Sequence, residues 1–382
     1  MKLIYSILFL CLGAGFLQAQ NYEVSLIGFY NLENLFDTID IEGKNDIEFT
    51  PEGSKNYGTE LYTTKLRNMA RVISQIGTNM SGDGLALLGV CEIENRKVLE
   101  DLCQEPSIRD RGYQIVHYET QDFRGIDNAL LYNPKYFVPL SSDKLFIQLP
   151  DKNGEKRFTR DVLYVRGLLR GEEIHIMVNH WPSRGGGQAA SEPKRVLAAE
   201  VCRSAVDSIL AINPEAQILI MGDFNDDPDN ISMAEVLRAA DKPFLSEEER
   251  VKAEAKLKKL EAKLRSTNTS KKKDALQSEV NQLKANLEMD LYNPYAQMFK
   301  DGQGTLAYRG TWNLFDQIVL SRGMLKKEGF YFHDAKVFRQ PWMFQREGEY
   351  KGYPLRSFVG STYLNGFSDH LPAYVILLKD VK

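Results

Sequence analysis

The stretch Gln217-Ile-Leu-Ile-Met-Gly-Asp-Phe-Asn-Asp226 decides the fold. Its first half is a short, continuous apolar run, which predicts a buried β-strand. Asp223 and Asn225 follow two positions apart, and residues with that spacing in an extended chain point to the same side. A carboxylate can hold a metal or a water, and a carboxamide can donate to a phosphate oxygen without adding charge. The alternative is an Asx turn after the strand, since the residues 226–228 (Asp-Asp-Pro) favour turns.

The composition of the chain is that of an ordinary globular protein. The chain has 382 residues, of which 43% are hydrophobic, and its formal net charge is −4. This length allows one large domain or two small ones, and the charge gives no general attraction to nucleic acid. Cys91, Cys103 and Cys202 follow the N-terminal segment without CxxC or zinc spacing. Three cysteines cannot form a complete disulfide framework.

The first 20 residues differ from the rest of the chain. Lys2 precedes a nearly continuous apolar run over residues 3–16, and Leu17-Gln-Ala19 resembles a cleavage site. The run is shorter than the roughly 20 residues that a membrane-spanning helix needs. The segment 1–20 is therefore predicted to be a cleavable signal peptide, with export to the periplasm or the medium.

Periodic apolar patterns predict the remaining elements. Helical spacing covers residues 64–76, 98–103 and 192–210. Residues 40–63 are polar and contain glycine, which indicates a loop. Strand-like runs cover residues 24–30, 84–94, 113–118, 129–132, 162–169, 173–178, 316–321 and 371–378.

Polar residues of only four types recur where these strands end or begin. A carboxylate at the end of an apolar strand is costly unless it is paired or binds a cation, which favours Glu92 as a metal ligand. Alternatively, Asn31 is a turn residue and His180 a satisfied structural histidine. Oxygen ligands for a hard cation and a His–Asp pair for proton transfer together suit metal-assisted phosphoester hydrolysis. The recurring residues are Asn31, Glu33, Glu92, His180, Asp223, Asn225, Asp316, Asp369 and His370.

Residues 247–290 break the pattern. One apolar stripe runs through positions 253, 257, 260 and 264, and a second runs through 276, 280, 283 and 287. The two stripes match when the first position of one is paired with the last position of the other (253 with 287, 257 with 283, 260 with 280 and 264 with 276). This match predicts an antiparallel helical hairpin that turns near Ser270. Between Arg250 and Lys273, ten basic residues outnumber two acidic ones. This basic arm either contacts a polyanion or is the solvated face of a hairpin inserted in a loop.

Taken together, seven segments closely resemble the endonuclease/exonuclease/phosphatase family, the group of deoxyribonuclease I, apurinic endonucleases, neutral sphingomyelinases and inositol polyphosphate 5-phosphatases. The chain resembles an exported, bacterial-type member, and the likeness covers the mature chain except the hairpin. Cys91 is a departure, because the family usually has Gln before the metal-binding Glu. The segments, in the family's order, are Tyr30-Asn-Leu-Glu-Asn-Leu-Phe36, Val90-Cys-Glu-Ile-Glu-Asn95, Gly125-Ile-Asp-Asn-Ala-Leu-Leu-Tyr132, Asn179-His-Trp181, Gly222-Asp-Phe-Asn225, Phe315-Asp-Gln-Ile-Val319 and Ser368-Asp-His370.

The resemblance implies the fold and the cofactor. The expected fold class is α/β (α+β), a four-layer sandwich of two mostly antiparallel β-sheets flanked by helices, as in deoxyribonuclease I. The domain is expected to span residues 21–382, with residues 247–290 as a helical-hairpin insertion. The expected cofactor is Mg²⁺ or Mn²⁺.

The resemblance also assigns roles to the residues at the strand ends. Asp223 is expected to position the nucleophile or to protonate the leaving group. Independently of the resemblance, the planar guanidinium of Arg124 could clamp a phosphate, or Arg124 could instead pair with Asp122 or Asp127. The other expected roles are metal ligation by Glu92, Glu33 and Asp369, proton transfer by His370 oriented by Asp316, phosphate binding by His180 and Asn225, and further substrate contact by Asn31 and Asn128.

Three functions remain open at the level of sequence. The first is an exported, metal-dependent phosphodiester hydrolase, a nuclease that cleaves DNA or RNA. The second is a phosphatase or sphingomyelinase-like enzyme that acts on lipid or small phosphoesters. The third is a non-catalytic binding protein on the same scaffold, which is disfavoured because no expected ligand is missing. Nucleic acid is the expected substrate, with no stable membrane anchor and no obligate protein partner.

Overall fold

The structure, a computed structural model, describes residues 21–152, 155–245, 247–267 and 269–381. The predicted signal peptide, residues 1–20, lies outside the described residues. The α-helices are α1 Thr59–Gln75, α2 Arg96–Cys103, α3 Gln188–Ile212, α4 Glu247–Ser266, α5 Ser270–Glu288 and α6 Tyr295–Lys300. The strands are β1 Tyr22–Leu35, β2 Leu87–Ile93, β3 Gln114–His117, β4 Asp127–Tyr132, β5 Phe137–Leu145, β6 Leu149–Lys152, β7 Glu155–Arg157, β8 Val162–Leu169, β9 Glu172–His180, β10 Gln217–Asp223, β11 Ala239–Ala240, β12 Leu291–Tyr292, β13 Leu306–Tyr308, β14 Thr311–Asn313, β15 Asp316–Ser321, β16 Tyr331–Val337, β17 Phe358–Val359, β18 Thr362–Tyr363 and β19 Ala373–Asp380.

Two large sheets form the centre of the fold. The first has the strand order β16-β19-β1-β2-β4-β3, and the second has the order β11-β12-β15-β10-β9-β8-β5. Most neighbouring strands are antiparallel, but β1 pairs with β2 in parallel, and β9 pairs with β10 in the same way. Within the described ranges, no helix is long and apolar enough to cross a membrane.

Side chains that alternate along the central strands explain the layers, since successive residues of a strand point to opposite faces. In β10, Leu219 and Met221 pack between the two sheets, whereas Ile218 and Ile220 pack in the cluster that contains α3. Helices α1 and α2 cover the outer face of the first sheet. Both faces of these strands are therefore buried, which is why their sequences are continuous apolar runs. The predicted four-layer sandwich of two mostly antiparallel sheets is confirmed.

Several predicted boundaries were wrong. Helix α1 begins at Thr59, five residues before the predicted start, so the predicted loop 40–63 is shorter and also contains a 3₁₀ turn at Ile47–Phe49. Strand β1 continues to Leu35, five residues past its predicted end. The apolar pattern stops earlier because the last residues of this strand include polar side chains. The strand nevertheless stays in the sheet through the pairs Asn31–Cys91 and Leu35–Ile93.

Helices α4 and α5 form the predicted antiparallel hairpin between β11 and β12. Ion pairs join the two helices at Lys256–Glu279 (2.9 Å) and Lys284–Glu261 (2.8 Å), so the helices pair inwards as the stripes predict. The basic residues near the turn are exposed, and none of them forms an ion pair with a described residue. These residues, called the hairpin tip below, are Lys258, Lys259, Lys263, Arg265, Lys271, Lys272 and Lys273.

Candidate active site

The candidate site lies at one edge of the fold, where both sheets contribute. The parallel pair β1 and β2 ends at this edge, as does the parallel pair β9 and β10. Strands β15 and β19 run antiparallel to their neighbours and therefore begin there. Asp223 lies between two direct partners, His180 on β9 and Asp316 on β15. Strand direction alone thus brings together residues that are far apart in the sequence.

Gly222 lets the neighbouring strand approach this edge closely. A Cβ atom at Gly222 would lie 2.5 Å from the carbonyl oxygen of Asn179 and 2.6 Å from its Cβ. Any side chain there would push β10 away from β9. The glycine therefore keeps Asp223 beside His180.

The backbone at the site departs from regular strand geometry. Glu33, Glu92 and Asn225 have φ angles of 46°, 57° and 51°, in the left-handed region that non-glycine residues seldom adopt. The pairing of β1 with β2 shifts register between Asn31 and Leu35, and that of β2 with β4 shifts at Glu92. Such bulges redirect side chains at the edge of a sheet. Here they turn two carboxylates towards the same site.

The expectation that Asp223 and Asn225 point to the same side of an extended chain was wrong, because the backbone of Asn225 is not extended. The backbone of Glu33, two positions after Asn31, is not extended either. Both pairs form Asx turns instead. Asp223 Oδ1 accepts the N–H of Asn225 (2.9 Å), and Asn31 Oδ1 accepts the N–H of Glu33 (2.8 Å). The Asx turn that was the alternative is therefore present, and it fixes one oxygen of Asp223 while the other faces the site. The functional roles of Asp223 and Asn225 stay predictions.

Asp223 is the centre of the polar cluster. Its Oδ2 accepts the amide of Asn31 at 3.1 Å. The same oxygen lies 3.7 Å from His180 Nε2 and 3.8 Å from His370 Nε2. Burial raises the pKa of Asp223 to about 6, although His370 opposes the shift. This carboxylate is therefore poised to gain and lose a proton near neutral pH.

His370 and Asp316 form the predicted pair. His370 Nδ1 lies 2.7 Å from Asp316 Oδ2, and both side chains are buried. Burial by itself lowers the pKa of His370, but the carboxylates of Asp316 and Asp223 raise it well above its usual range. The hydroxyl of Ser368 also accepts the backbone N–H of His370 (3.0 Å). This imidazole is held in place and protonated, with Nε2 directed at Asp223.

His180 has the opposite charge preference. Burial lowers its pKa well below the usual range, and Arg160 and Arg124 lower it further. Its Nε2 lies 3.8 Å from Glu92 Oε1, and Nδ1 has no hydrogen-bond partner among the described residues. The site thus holds one neutral and one protonated imidazole on either side of Asp223.

Glu33 and Asp369 share one arginine. Arg356 contacts Glu33 Oε1 at 3.3 Å and Asp369 Oδ2 at 2.9 Å, and the N–H of Ser357 donates to Glu33 Oε2 at 2.7 Å. Burial and the nearby Asp369 raise the pKa of Glu33 to about 7. The buried ammonium of Lys65 donates to the backbone carbonyl of Glu33. This pair of carboxylates is compensated by two cations.

Glu92 and Arg124 meet beside His180. Arg124 Nη2 lies 3.5 Å from Glu92 Oε1 and also donates to Asn34 Oδ1. The backbone N–H of Asn34 donates to Glu92 Oε2 at 2.9 Å. Arg124 therefore lies at the site, where a phosphate could reach it.

The side chains of two predicted site residues form their hydrogen bonds with groups outside the polar cluster. Asn128 is buried and donates to the carbonyl of Asp161 at 2.9 Å. The amide of Asn225 donates to the carbonyl of Trp181 at 3.0 Å. Asn225 still contacts the cluster through its backbone N–H, whereas no described hydrogen bond of Asn128 reaches it. Substrate contact by Asn128 stays a prediction.

The residues at this edge fit a hard divalent cation. Five carboxylates from separate segments gather there, and oxygen ligands of this kind suit Mg²⁺ and Mn²⁺. An oxygen of Asp223 and one of Asp316 lie within 4.8 Å of each other, next to the ring of His370. The raised pKa values of Glu33 and Asp223 show that burying these charges is costly without a cation. The predicted ligands Glu92, Glu33 and Asp369 lie beside this group and remain predictions.

Sequence reasoning missed two cations of the site. Lys65 lies on the buried side of α1, where its position between Tyr62 and Met69 has the spacing of the apolar stripe. A lysine within such a stripe was the available signal. Arg356 lies in an irregular segment, and no pattern in the sequence distinguishes it from other surface arginines.

The fold and the site together define a metal-dependent hydrolase of phosphoester bonds. A model of the endonuclease/exonuclease/phosphatase family matches residues 26–261 and 263–379. The chain belongs to this family, whose members depend on divalent metals. Among curated proteins, none matches the chain.

Two solved structures from Bacteroides thetaiotaomicron are similar to the chain in fold. One is an endonuclease/exonuclease/phosphatase family protein with 14% identity and a TM-score of 0.51, covering 95% of this chain and 98% of its own. The other is a mannosyl-6-phosphatase with 15% identity and a TM-score of 0.50, covering 92% of this chain and 99% of its own.

Proposed function

We propose that the protein is an exported, Mg²⁺- or Mn²⁺-dependent phosphodiesterase that cleaves nucleic acid as an endonuclease. The observation that carries the proposal is the arrangement around Asp223. A protonated His370 and a neutral His180 lie 3.8 Å and 3.7 Å from its Oδ2. Groups whose environments drive their pKa values apart are typical of acid–base sites.

In the proposed reaction, a water oxygen bonds to phosphorus and its proton passes to Asp223. The phosphorus–oxygen bond to the leaving alcohol breaks, and the departing oxygen takes a proton from solvent. His370 donates a hydrogen bond from Nε2 to one phosphoryl oxygen, and neutral His180 can donate one to another. Both hydrogen bonds stabilise the negative charge that develops on the phosphoryl group in the transition state. Asn31 holds Asp223 in place throughout.

The metal would be held by Glu92 and its neighbouring carboxylates, including Glu33 and Asp369. When bound, it supplies Lewis-acid stabilisation of the charge on the phosphoryl group. Arg356 keeps Glu33 and Asp369 in position, and Arg124 fixes Glu92 from the other side.

Nucleic acid is favoured as substrate by the hairpin tip. Seven exposed cations there have no carboxylate partner among the described residues, and such clusters bind the phosphate backbone. Export is supported by the sequence of residues 1–20. Secreted protein whose N-terminal sequence began at Met1 would argue against cleavage of this segment, and protein found only inside the cell would argue against export.

The test uses the purified mature chain on DNA and RNA, with Mg²⁺ or Mn²⁺ and with EDTA. We expect metal-dependent cleavage, and a loss of roughly 10²–10³-fold in kcat for His370→Ala, because an oriented donor to the phosphoryl oxygen is removed. The matched control is His333→Ala, since His333 is exposed on β16. Absence of metal-dependent cleavage, or full activity in His370→Ala, would contradict the proposal.

The alternative is the same chemistry on a lipid or small phosphoester. The mannosyl-6-phosphatase shows that the fold can carry a phosphatase, but at 15% identity it shows the fold alone. A panel of DNA, bis-p-nitrophenyl phosphate, a sugar phosphate and a phospholipid separates the two. Hydrolysis of a phosphomonoester or phospholipid without hydrolysis of DNA or RNA would favour the alternative.

A further inference from the structure

A large pocket opens directly beside the candidate active site. Its volume is about 950 Å³, much more than a phosphate group requires and within the range of small-molecule sites. Glu33, Arg356 and Asp369 form the wall nearest the reaction centre. Whatever group occupies the pocket is therefore attached to the scissile phosphate or lies next to it.

The hairpin of β13 and β14 forms one wall and is fixed to the catalytic residues. Leu306 pairs with His370 across an isolated bridge. The hydroxyl of Thr305 accepts the backbone N–H of Asp316 at 3.2 Å. Tyr308 is two residues further along the strand, roughly 7 Å from that bridge. The position of the Tyr308 backbone relative to the active site is thus set by the sheet.

Aromatic rings line this pocket and remain accessible. Tyr308 is 60% exposed and Tyr350 is 40% exposed, although both are large side chains. Tyr353 packs against Tyr350 with ring centroids 5.8 Å apart, and its hydroxyl accepts the backbone N–H of Gly310. The rings therefore stand on a supported wall and keep exposed surface against which a planar group could stack.

The tip of the hairpin carries an arginine in an unfavourable conformation. Arg309 has a φ angle of 47° and Gly310 one of 84°. Turns of this type favour Asn, Asp or Gly at the first of these positions. The guanidinium of Arg309 lies 5.2 Å from the centre of the Tyr308 ring, and no described carboxylate pairs with it. Strained backbone of this kind occurs at ligand-binding sites, and the exposed guanidinium of Arg309 lies at the mouth of the pocket, within reach of a ligand there.

The remaining charges of the pocket nearly cancel. Lys55 pairs with Glu48, and Arg356 is held by Glu33 and Asp369. Arg309 and Glu349 are left, one positive and one negative. A second phosphate would gain little here, whereas an uncharged, planar ring would stack on tyrosine and arginine faces.

We propose that this pocket binds the nucleobase next to the scissile phosphate, stacked against Tyr308 and edged by Arg309. The assignment rests on the proposed nuclease function and names the part of the substrate that the enzyme selects. A base in the pocket positions its own phosphate at Asp223 and the metal ligands. Binding to the ring itself would make the enzyme tolerant of sequence, because every base has a flat face.

The test uses the mature full-length chain with its metal and a dinucleotide that has a single phosphodiester. Two analogues lack either the 5′ or the 3′ base and keep the sugar. We expect wild type to lose about tenfold in kcat/KM on one analogue, as for one stacked base. Tyr308→Ala should raise KM for the dinucleotide by a similar factor with kcat unchanged, and should have no further effect on that analogue.

Three variants control the interpretation. Tyr308→Phe keeps the ring and should behave as wild type. Arg309→Gly relaxes the turn, so a rise in KM there cannot come from unfolding. Tyr22→Ala removes an exposed tyrosine at the start of β1, which is the end of the strand away from the active site. It should change neither KM nor kcat.

The outcomes separate this assignment from the function on which it rests. Equal effects of Tyr308→Ala on the dinucleotide and both analogues would place the sugar in the pocket and overturn the nucleobase assignment. No effect on any substrate would overturn the pocket as a binding site. Cleavage of long DNA or RNA without hydrolysis of the dinucleotide would overturn the assignment that a single base positions the scissile phosphate. If wild type cleaved neither these substrates nor long DNA and RNA with any metal, the proposed function would itself fail.

Discussion

In the metal-free protein, ionisation of the buried Glu33 carboxyl group lowers the stability of the fold. Its carboxyl group is buried, and burial together with Asp369 raises its pKa to about 7. Between about pH 4.5 and pH 7 the folded protein therefore holds a proton that the unfolded chain releases. This contribution to stability is fully present below pH 4.5, falls as pH rises through that window, and is gone above pH 7.

We predict that Glu33→Gln stabilises the metal-free protein at pH 8. The gain in the free energy of unfolding should be roughly 1–3 kcal/mol, and little change is expected at pH 4.5. Urea unfolding in EDTA at both pH values measures it. A residual slope from Asp223 should remain, because its pKa is also raised, to about 6.

The control for this prediction is Glu42→Gln, since Glu42 is exposed in a loop. It should leave the difference between the two pH values unchanged. A variant Glu33→Gln that was less stable than wild type at pH 8 would mean that the bonds to Arg356 and Ser357 outweigh the cost of burying the charge.

At the scale of residues, the sequence predicted most of the acidic and histidine side chains that meet at this edge, but not how they are held. Glu92 and His370 could be recognised by their type and by their places at strand ends. The left-handed backbone at Glu33 and Glu92 could not, because it depends on the register with neighbouring strands. Arg356 could not be found either, since its role exists only where the loop folds against Glu33 and Asp369.

Among the elements, the hairpin of α4 and α5 was the clearest prediction, because its stripes depend only on local helical spacing. The strands were predicted by their apolar runs, but their bulges were not, since a bulge is defined by two strands and not by one. The chemistry of the site depends on these bulges. Sequence patterns therefore located the catalytic strands without giving the geometry at their ends.

We predict that the hairpin tip contacts nucleic acid outside the active site. Replacing Lys258, Lys259, Lys263 and Lys271 with Gln should weaken binding to long DNA and flatten the dependence of log K on log salt. Each lost phosphate contact should reduce the slope by about 0.9. Binding at several salt concentrations, with an inactive His370→Ala background, provides the measurement.

The matched control replaces Lys256 and Lys284, whose ammonium groups already pair with Glu279 and Glu261. These changes should affect the slope less, because these charges are already compensated. Hydrolysis of a dinucleotide should be unchanged by either set. An unaltered salt slope in the tip variant would assign the hairpin to a solvated structural role.

For the whole molecule, the site joins the two sheets. Glu33 and Glu92 come from the first sheet, and His180, Asp223 and Asp316 come from the second. The apolar runs predicted that the central strands are covered on both faces, but the order of the four layers was implied by the family resemblance. The convergence of the sheets on one edge could not be derived from local patterns, and its expectation came from the family resemblance alone.

A cation at this edge would offset repulsion between carboxylates of both sheets, so it should stabilise the entire fold and not a single loop. We predict that Mn²⁺ or Mg²⁺ raises the thermal midpoint of the protein. At about 100 times the dissociation constant, the stabilisation should be about 2.7 kcal/mol. Glu92→Gln should lose most of this rise, whereas Glu42→Gln should keep it, as measured by calorimetry in EDTA and in metal. A rise of equal size in Glu92→Gln would mean that the cation binds elsewhere, and the five carboxylates would then need another explanation for their shared burial.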